Sequence, residues 1–197
     1  MKKIIVSAVI AAATLSASQA AVFNGASAGL TMGTHTTTFT DKDVDGKSTN
    51  RKTIGLYGIH FGYDFSKANS FYFGLGLDVL SGFSKMKFKE DEGKYTVKYR
   101  VSSELDAKLG YNICNQTVLY GLVGGKVYNY TTKDSDGDKG SDTHVAPVIG
   151  FGAATKISEK ISAGLEYRYS FDRKEKDEDS KFKMRSHAVL AKVSYHF

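Results

Sequence analysis

The sequence of 197 residues contains a single cysteine, Cys114, a single proline, Pro147, and no tryptophan. A lone thiol forms no intrachain disulfide, which excludes a secreted mini-domain stapled by cross-links. Apart from Ile4 to Ala13 there is no long apolar run, and nothing reaches the ~18 consecutive apolar residues of a membrane-spanning helix, so a helical membrane protein is excluded. Excess charge is also scarce. The formal net charge is +6, with Lys2 and Lys3 inside the N-terminal segment, and the remaining Lys and Arg are interspersed with carboxylates. No basic stripe is present, so nucleic acid is not expected as a partner. What is plentiful is glycine, at 20 residues, together with 12 Tyr and 12 Phe, a balance that favours packed strands over helices or disorder.

The N-terminus reads as an export signal. Met1-Lys2-Lys3 is a basic n-region, Ile4 to Ala13 an apolar h-region, and Ser18-Gln19-Ala20 supplies small residues before a cut after Ala20. No cysteine follows that position, so a lipid-modified N-terminus is not expected. Residues 1–20 are therefore expected to be a signal peptide and 21–197 one domain, with no linker in it.

Period two dominates the rest. From Tyr95 to Ile113, odd positions include Tyr95, Val97, Tyr99, Val101, Leu105, Leu109 and Tyr111, whereas even positions include Lys98, Arg100, Glu104, Asp106 and Lys108. One face is apolar and the other ionic. Two-faced segments recur at Asn24–Thr40, Lys52–Phe65, Phe71–Lys87, Val118–Thr132, Thr143–Ile157, Ile161–Arg173 and Phe182–Phe197. In the Val118 segment, Val118, Tyr120 and Leu122 read as the apolar face. The phase is lost at Gly124-Gly125, where a bulge is expected.

Short polar turns, at Ser66–Ser70, Asn112–Thr117 and Ile157–Lys160, alternate with long polar loops at Asp41–Arg51, Lys85–Lys94, Lys133–Asp142 and Arg173–Lys181. That alternation is the plan of an outer-membrane barrel, with short turns in the periplasm and long loops outside. A soluble barrel would also alternate, with its apolar face turned inward. Two features favour lipid outside. Glycine falls largely on the polar face, as a narrow charged lumen needs. Aromatics gather at both ends of the apolar face: Tyr63, Phe65, Phe71, Phe73, Tyr111, Tyr195 and Phe197 at the turn end, and Tyr95, Tyr99, Tyr169 and Phe171 at the loop end. The expected fold is all-β, an eight-stranded antiparallel up-and-down transmembrane barrel in the cell outer membrane, with both termini in the periplasm.

Val189 to Phe197 alternates apolar and aromatic residues and ends in Phe, with Val193, Tyr195 and Phe197 in phase. This segment resembles the C-terminal insertion signal of outer-membrane barrels, and the resemblance implies the barrel-insertion machinery as a partner. Tyr57-Gly58-Ile59-His60-Phe61-Gly62-Tyr63, Leu119-Tyr120-Gly121-Leu122-Val123-Gly124-Gly125, Val148-Ile149-Gly150-Phe151-Gly152-Ala153 and Ala163-Gly164-Leu165-Glu166-Tyr167-Arg168-Tyr169 extend it. Over 21–197 the chain is similar to the small-barrel superfamily of opacity proteins and the transmembrane domain of outer membrane protein A. The likeness implies a fold and an address, not a ligand. No periplasmic peptidoglycan-binding domain is expected after the barrel.

The inward charges are Asp64, Asp78, Arg100, Glu104, Asp106, Lys108, Lys156, Glu166, Arg168 and Lys192. In a lumen only wide enough for side chains they are expected to pair and plug the barrel, the alternative being a gated small-solute channel. His60 and His196 also point inward by phase. Asp41-Lys42-Asp43-Val44-Asp45-Gly46 begins like a calcium loop, but Lys52 stands where a bidentate Glu is needed, so no metal is expected. Lys85, Lys87, Lys89, Lys181, Lys183 and Arg185 continue outward phases above the apolar band. There they could contact outer-membrane lipid, specifically lipopolysaccharide phosphates, or act as solvated edge charges. The five His residues show no Ser and carboxylate arrangement at the outer rim, so neither catalysis nor a cofactor is expected. Three roles are set against one another: a non-enzymatic surface barrel whose loops meet host or other cell-surface ligands, a small-solute channel and, least favoured, a lipid A-modifying enzyme.

Overall fold

In the computed structural model the backbone is described for residues 23–43, 46–66, 71–83, 85–90, 93–114, 116–133, 139–176 and 181–197. Nine strand segments follow one another: β1 (Asn24–Asp43), β2 (Gly46–Ser66), β3 (Phe71–Gly82), β4 (Lys85–Glu90), β5 (Gly93–Cys114), β6 (Thr117–Lys133), β7 (Lys139–Lys156), β8 (Ile161–Lys176) and β9 (Lys181–His196). Every pairing is antiparallel.

β3 and β4 are two lengths of one stave. Both pair with β5, β3 ending at Ser81 opposite Val101 and β4 starting at Lys85 opposite Lys98. At the interruption the Phe83 N–H donates to the Gly55 carbonyl at 2.9 Å, and the Phe83 ring lies 4.3 Å from that of Tyr57. With β3 on β5 and β1 on β9 the sheet closes into an eight-stranded barrel and leaves no edge within the band.

The barrel is inside out relative to a soluble domain. Along β3, Phe71, Phe73, Leu75 and Leu77 are exposed while Tyr72, Gly74, Gly76 and Asp78 are buried. Leu105, Leu109, Phe151, Val189 and Val193 are likewise exposed, and Glu166, Arg168 and Lys192 buried. Apolar side chains thus form the outer surface and ionic ones the centre. Inward glycine lets the staves close tightly. A Cβ on Gly58 would stand 2.0 Å from the Val79 carbonyl oxygen, and one on Gly33 would stand 2.0 Å from that of Val189.

Three expectations are corrected. First, Val118, Tyr120 and Leu122 face the lumen, at 0%, 6% and 5% exposure, whereas Leu119, Val123 and Val127 face outward. Both faces of β6 are rich in apolar residues, so hydrophobicity alone does not orient it. Second, pairing runs without interruption through Gly124 and Gly125 on both sides of β6. The irregularities lie instead at Tyr99/Ser102 and Asn112/Cys114 of β5 and at Ser170/Arg173 of β8. Third, most of the long loops are hairpin ladder. Pairing continues to Asp43 opposite Gly46, Glu90 opposite Gly93, Lys133 opposite Lys139 and Lys176 opposite Lys181. Only ~9–11 residues of a tilted strand are needed to cross a bilayer, so strands of 20 and 22 residues, β1 and β5, project well beyond it at this hairpin end. Backbone pairing holds such polar extensions, and no buried face betrays them in the sequence.

The orientation of β6 is testable with single nitroxide labels in a Cys114→Ser background. A label at position 119 or 123 is expected to relax more with oxygen than with an aqueous nickel chelate in lipid vesicles, and the reverse order would overturn the assignment.

Candidate functional site: the lumen charge cluster

Because successive side chains alternate sides, each stave delivers a charge to the centre only at every second residue. β8 delivers Glu166 and Arg168 in succession, and Arg168 is the hub. Its guanidinium donates to Glu104 and Glu166 at 2.5 Å, to Asp78 at 2.7 Å and to Asp106 at 3.1 Å. Lys192 of β9 lies 2.8 Å from Asp78 and 3.0 Å from Glu166. Lys108 of β5 lies 3.1 Å from Glu166 and 3.8 Å from Asp106.

Neutral groups complete the cluster. The Tyr120 hydroxyl donates to Glu166 at 2.9 Å, and the Thr31 hydroxyl donates to Asp78 at 3.2 Å. Thr31 also meets His60 Nδ1 at 3.1 Å, and His60 Nε2 meets the Ser194 hydroxyl at 2.7 Å. The connected groups reach every stave except β7, whose Gly152 leaves the room that the Glu166 side chain fills; a Cβ there would stand 2.9 Å from Glu166 Cγ. Buried charge is tolerated only where partners are this close, since water's solvation is lost.

Asp64 and Lys156 do not join the hub. Asp64 accepts from the Tyr72 hydroxyl at 2.5 Å, and Lys156 donates to the Glu159 carbonyl at 3.2 Å. Both sit at the turn end, where Phe23 is buried. Its ring meets Tyr72 edge-on at 6.2 Å and His196 at 5.7 Å, and the Lys156 ammonium lies 5.6 Å above it. Gly25, at a φ of 96° that only glycine adopts readily, precedes the regular part of β1. His196 also meets the Ser162 hydroxyl at 2.8 Å. A small vestibule lined by Phe23, Asp64, Tyr72, Ser162 and His196 lies below the hub.

Above the hub an apolar cluster fills part of the lumen, with Ile54, Leu56, Leu80, Tyr128, Ala146 and Leu190 packed together. Lys126 is buried among polar neighbours there, donating to Ser170 at 2.7 Å and Ser186 at 3.0 Å, with its ammonium 4.7 Å from the Tyr128 ring centre. Lys126 and this apolar layer lie outside the expected set of lumen residues, because hydrophobicity alone turns β6 the wrong way. Lys126 itself carried the missing signal: it shares the phase of Val118, Tyr120 and Leu122, and a cation in the middle of that face argues against lipid. The Ser194–His60 and Ser162–His196 contacts were also invisible, because their partners are 134 and 34 residues apart.

The side chain of Arg100 lies outside the described residues, and its position falls inside the β5 register shift. The side chains of Lys85, Lys87, Lys89, Lys181 and Lys183 also lie outside them, as do those of residues 41–48, including the calcium-like segment; Arg185 is exposed on β9. Val193, Tyr195 and Phe197 point outward. Among the described residues no group of His, Cys, Asp and Glu could hold a metal ion. Cys114 is exposed at the end of β5, where hydrogen bonding by Thr117 and then Gln116 holds its thiol below the usual range.

A closed antiparallel tube with an apolar exterior and an ionic, packed interior is the architecture of a small barrel of the bacterial outer membrane. The chain belongs to the family of outer membrane protein beta-barrel domains, which matches residues 5–197. Outer membrane protein A of Escherichia coli O157:H7 is 34% identical over 98 residues, covering 50% of this chain and 27% of that protein. Outer membrane protein A of Citrobacter freundii is 38% identical over 66 residues, covering 34% of this chain and 28% of that protein. The chain thus matches little more than a quarter of the length of these relatives. Among solved structures, the outer membrane protein OprG of Pseudomonas aeruginosa superposes with a TM-score of 0.50 at 13% identity, over 89% of this chain and 99% of that one, which shows the shared fold.

Arg168→Met leaves Asp78, Glu104, Asp106 and Glu166 with Lys108 and Lys192 as the cations of the cluster among the described residues. Removing one partner from a buried ionic group typically costs about 3–5 kcal/mol, so urea unfolding from vesicles should show a loss of that order. A change below about 1 kcal/mol would show that the hub is not a stabilising element.

Proposed function

We propose that this outer-membrane barrel is a closed, non-enzymatic surface protein whose work is done by the projecting hairpins. One observation carries the reading. Arg168, 2% exposed, stands at the centre of the lumen with its side chain bonded to carboxylates of β3, β5 and β8, and so fills the path a solute would take. The apolar layer above it and Phe23 below it obstruct the same path. Both the Ser194–His60 and the Ser162–His196 contacts lie within this packed lumen, where a lipid chain has no access, and this supports a structural role for them.

The ladders support an orientation. The short connections and both termini of the barrel lie at one end, which we place in the periplasm after removal of residues 1–20. The hairpin end then stands outside the cell, and its charged ladders are the surface offered to other cells or to a host. Val193, Tyr195 and Phe197 would serve insertion by the assembly machinery.

Refolded protein in planar bilayers is expected to show no reproducible open state at moderate voltage. Regular unitary conductance steps from the wild-type chain would replace this reading with a small-solute channel.

A further inference from the structure

The register places a row of two arginines and a threonine on the outer wall of the barrel. Across β2, β1 and β9, Arg51 pairs with Thr38 and Thr38 with Arg185, so the two arginines flank one threonine on adjacent strands. Both arginines are exposed and Thr38 is on the outward phase of β1. Neighbouring strands lie ~4.8 Å apart, so the arginine backbones stand roughly 10 Å apart, within reach of guanidinium groups converging above Thr38. Neither arginine has a hydrogen-bond or ion-pair partner among the described residues, and Thr38 Oγ1 is buried without one.

The next row toward the membrane is polar as well. Thr53 pairs with Thr36, Thr36 with His187 and His187 with Tyr169. The Thr36 and Thr53 hydroxyls are 2.8 Å apart, and the His187 and Tyr169 rings meet edge-on at 4.9 Å. Below this the wall turns apolar with Tyr57, Met32, Ala191 and Leu165, and Ala28 and Tyr195 pair near the turn end. From Tyr195 to Arg185 is ten residues, roughly 25 Å of height along a strand tilted ~40°, which matches the apolar band of an outer-membrane barrel. The arginines therefore stand at headgroup level, just beyond the hydrocarbon.

We propose that Arg51, Thr38 and Arg185 form a binding site for the phosphate of an outer-leaflet glycolipid, with Thr36, Thr53 and His187 meeting its hydroxyl and amide groups. Two guanidiniums supply forked donors that match phosphate oxygens, and Thr38 supplies a third donor between them. The apolar rows beneath accept the acyl chains, which distinguishes a lipid phosphate from a free one. The site rests on the orientation proposed above, with the hairpin end outside, and does not depend on whether the lumen conducts.

Native mass spectrometry of the refolded barrel released from detergent, with diphosphoryl lipid A, its dephosphorylated form and phosphatidylglycerol as probes, tests the site. Wild type should retain diphosphoryl lipid A in clear preference to the other two, and millimolar inorganic phosphate should not displace it. Arg51→Gln with Arg185→Gln should weaken that retention about tenfold or more, whereas Lys160→Gln, at the opposite end, should leave it unchanged. Equal retention by wild type and double variant would overturn the proposal, as would an equal loss in Lys160→Gln. Displacement by inorganic phosphate, or a preference for phosphatidylglycerol, would overturn the assignment to an outer-leaflet glycolipid. Heat-modifiable mobility on electrophoresis confirms that each variant is folded. Orientation is read separately, by protease cleavage of the hairpins on intact cells, so its failure is distinguishable from failure of the site.

Discussion

Everything in this barrel follows from closing a tube with few staves around charged side chains. Eight strands leave an interior only as wide as the side chains that fill it. An ion placed there has little water to solvate it, so its neighbours must do so. Arg168 meets that demand through carboxylates on β3, β5 and β8, and Lys192 and Lys108 add ion pairs to Asp78 and Glu166, while Asp106 Oδ1 has Lys108 only at 3.8 Å and no hydrogen bond. Exchanging such a network for well-packed apolar residues could give equal or greater stability, so its presence points to specificity of register at least as much as to strength. Sliding β8 by one residue against its neighbours would carry Arg168 and Glu166 into lipid and Tyr167 into the centre.

The same alternation decided how much could be read without coordinates. β5 was fully legible over Val101 to Ile113 because its two faces differ in charge, and Leu105 and Asp106 lie on opposite sides of the wall as their phase required. β6 was not, because Leu119 and Val123 on one face look like Leu122 and Val118 on the other. The ionic members of the cluster, Asp78, Glu104, Asp106, Lys108, Glu166, Arg168 and Lys192, all share the inward phase in the sequence, but phase does not separate them from Asp64 and Lys156, nor does it say which charge meets which. Arg168 and Asp78 are 90 residues apart, Lys192 and Asp78 114, and such pairs depend on register across several strands. Tyr120 was missed for a different reason: an aromatic ring with a hydroxyl suits either side of the wall, and only its bond to Glu166 shows why it is inside.

The hairpin ladders illustrate a limit of hydrophobic patterning itself. The run Thr36 to Asp43 against Gly46 to Thr53 has few apolar residues, yet it continues the β1–β2 pairing to the tip. Inside a bilayer, strand pairing is compulsory because no water competes for the backbone. Beyond it, pairing persists as an extension of strands already aligned below, so the membrane-embedded register is transmitted to the projecting hairpins. The arginine row owes its position to the same transmission, since Arg51 and Arg185 are brought beside Thr38 from opposite thirds of the chain.

The seam of the barrel joins β1 to β9, with Ser27 opposite His196 and the Phe197 N–H donating to the Ala26 carbonyl at 3.0 Å. β1 and β9 are thus mutual neighbours, and the cylinder cannot be zipped shut until both strands are present. The β1–β9 ladder joins the parts of the barrel farthest apart in sequence, and non-local closure of this kind slows assembly. Without that pairing β1 and β9 each present an unpaired margin, and a chain lacking β9 would remain an open, adhesive sheet rather than a smaller barrel.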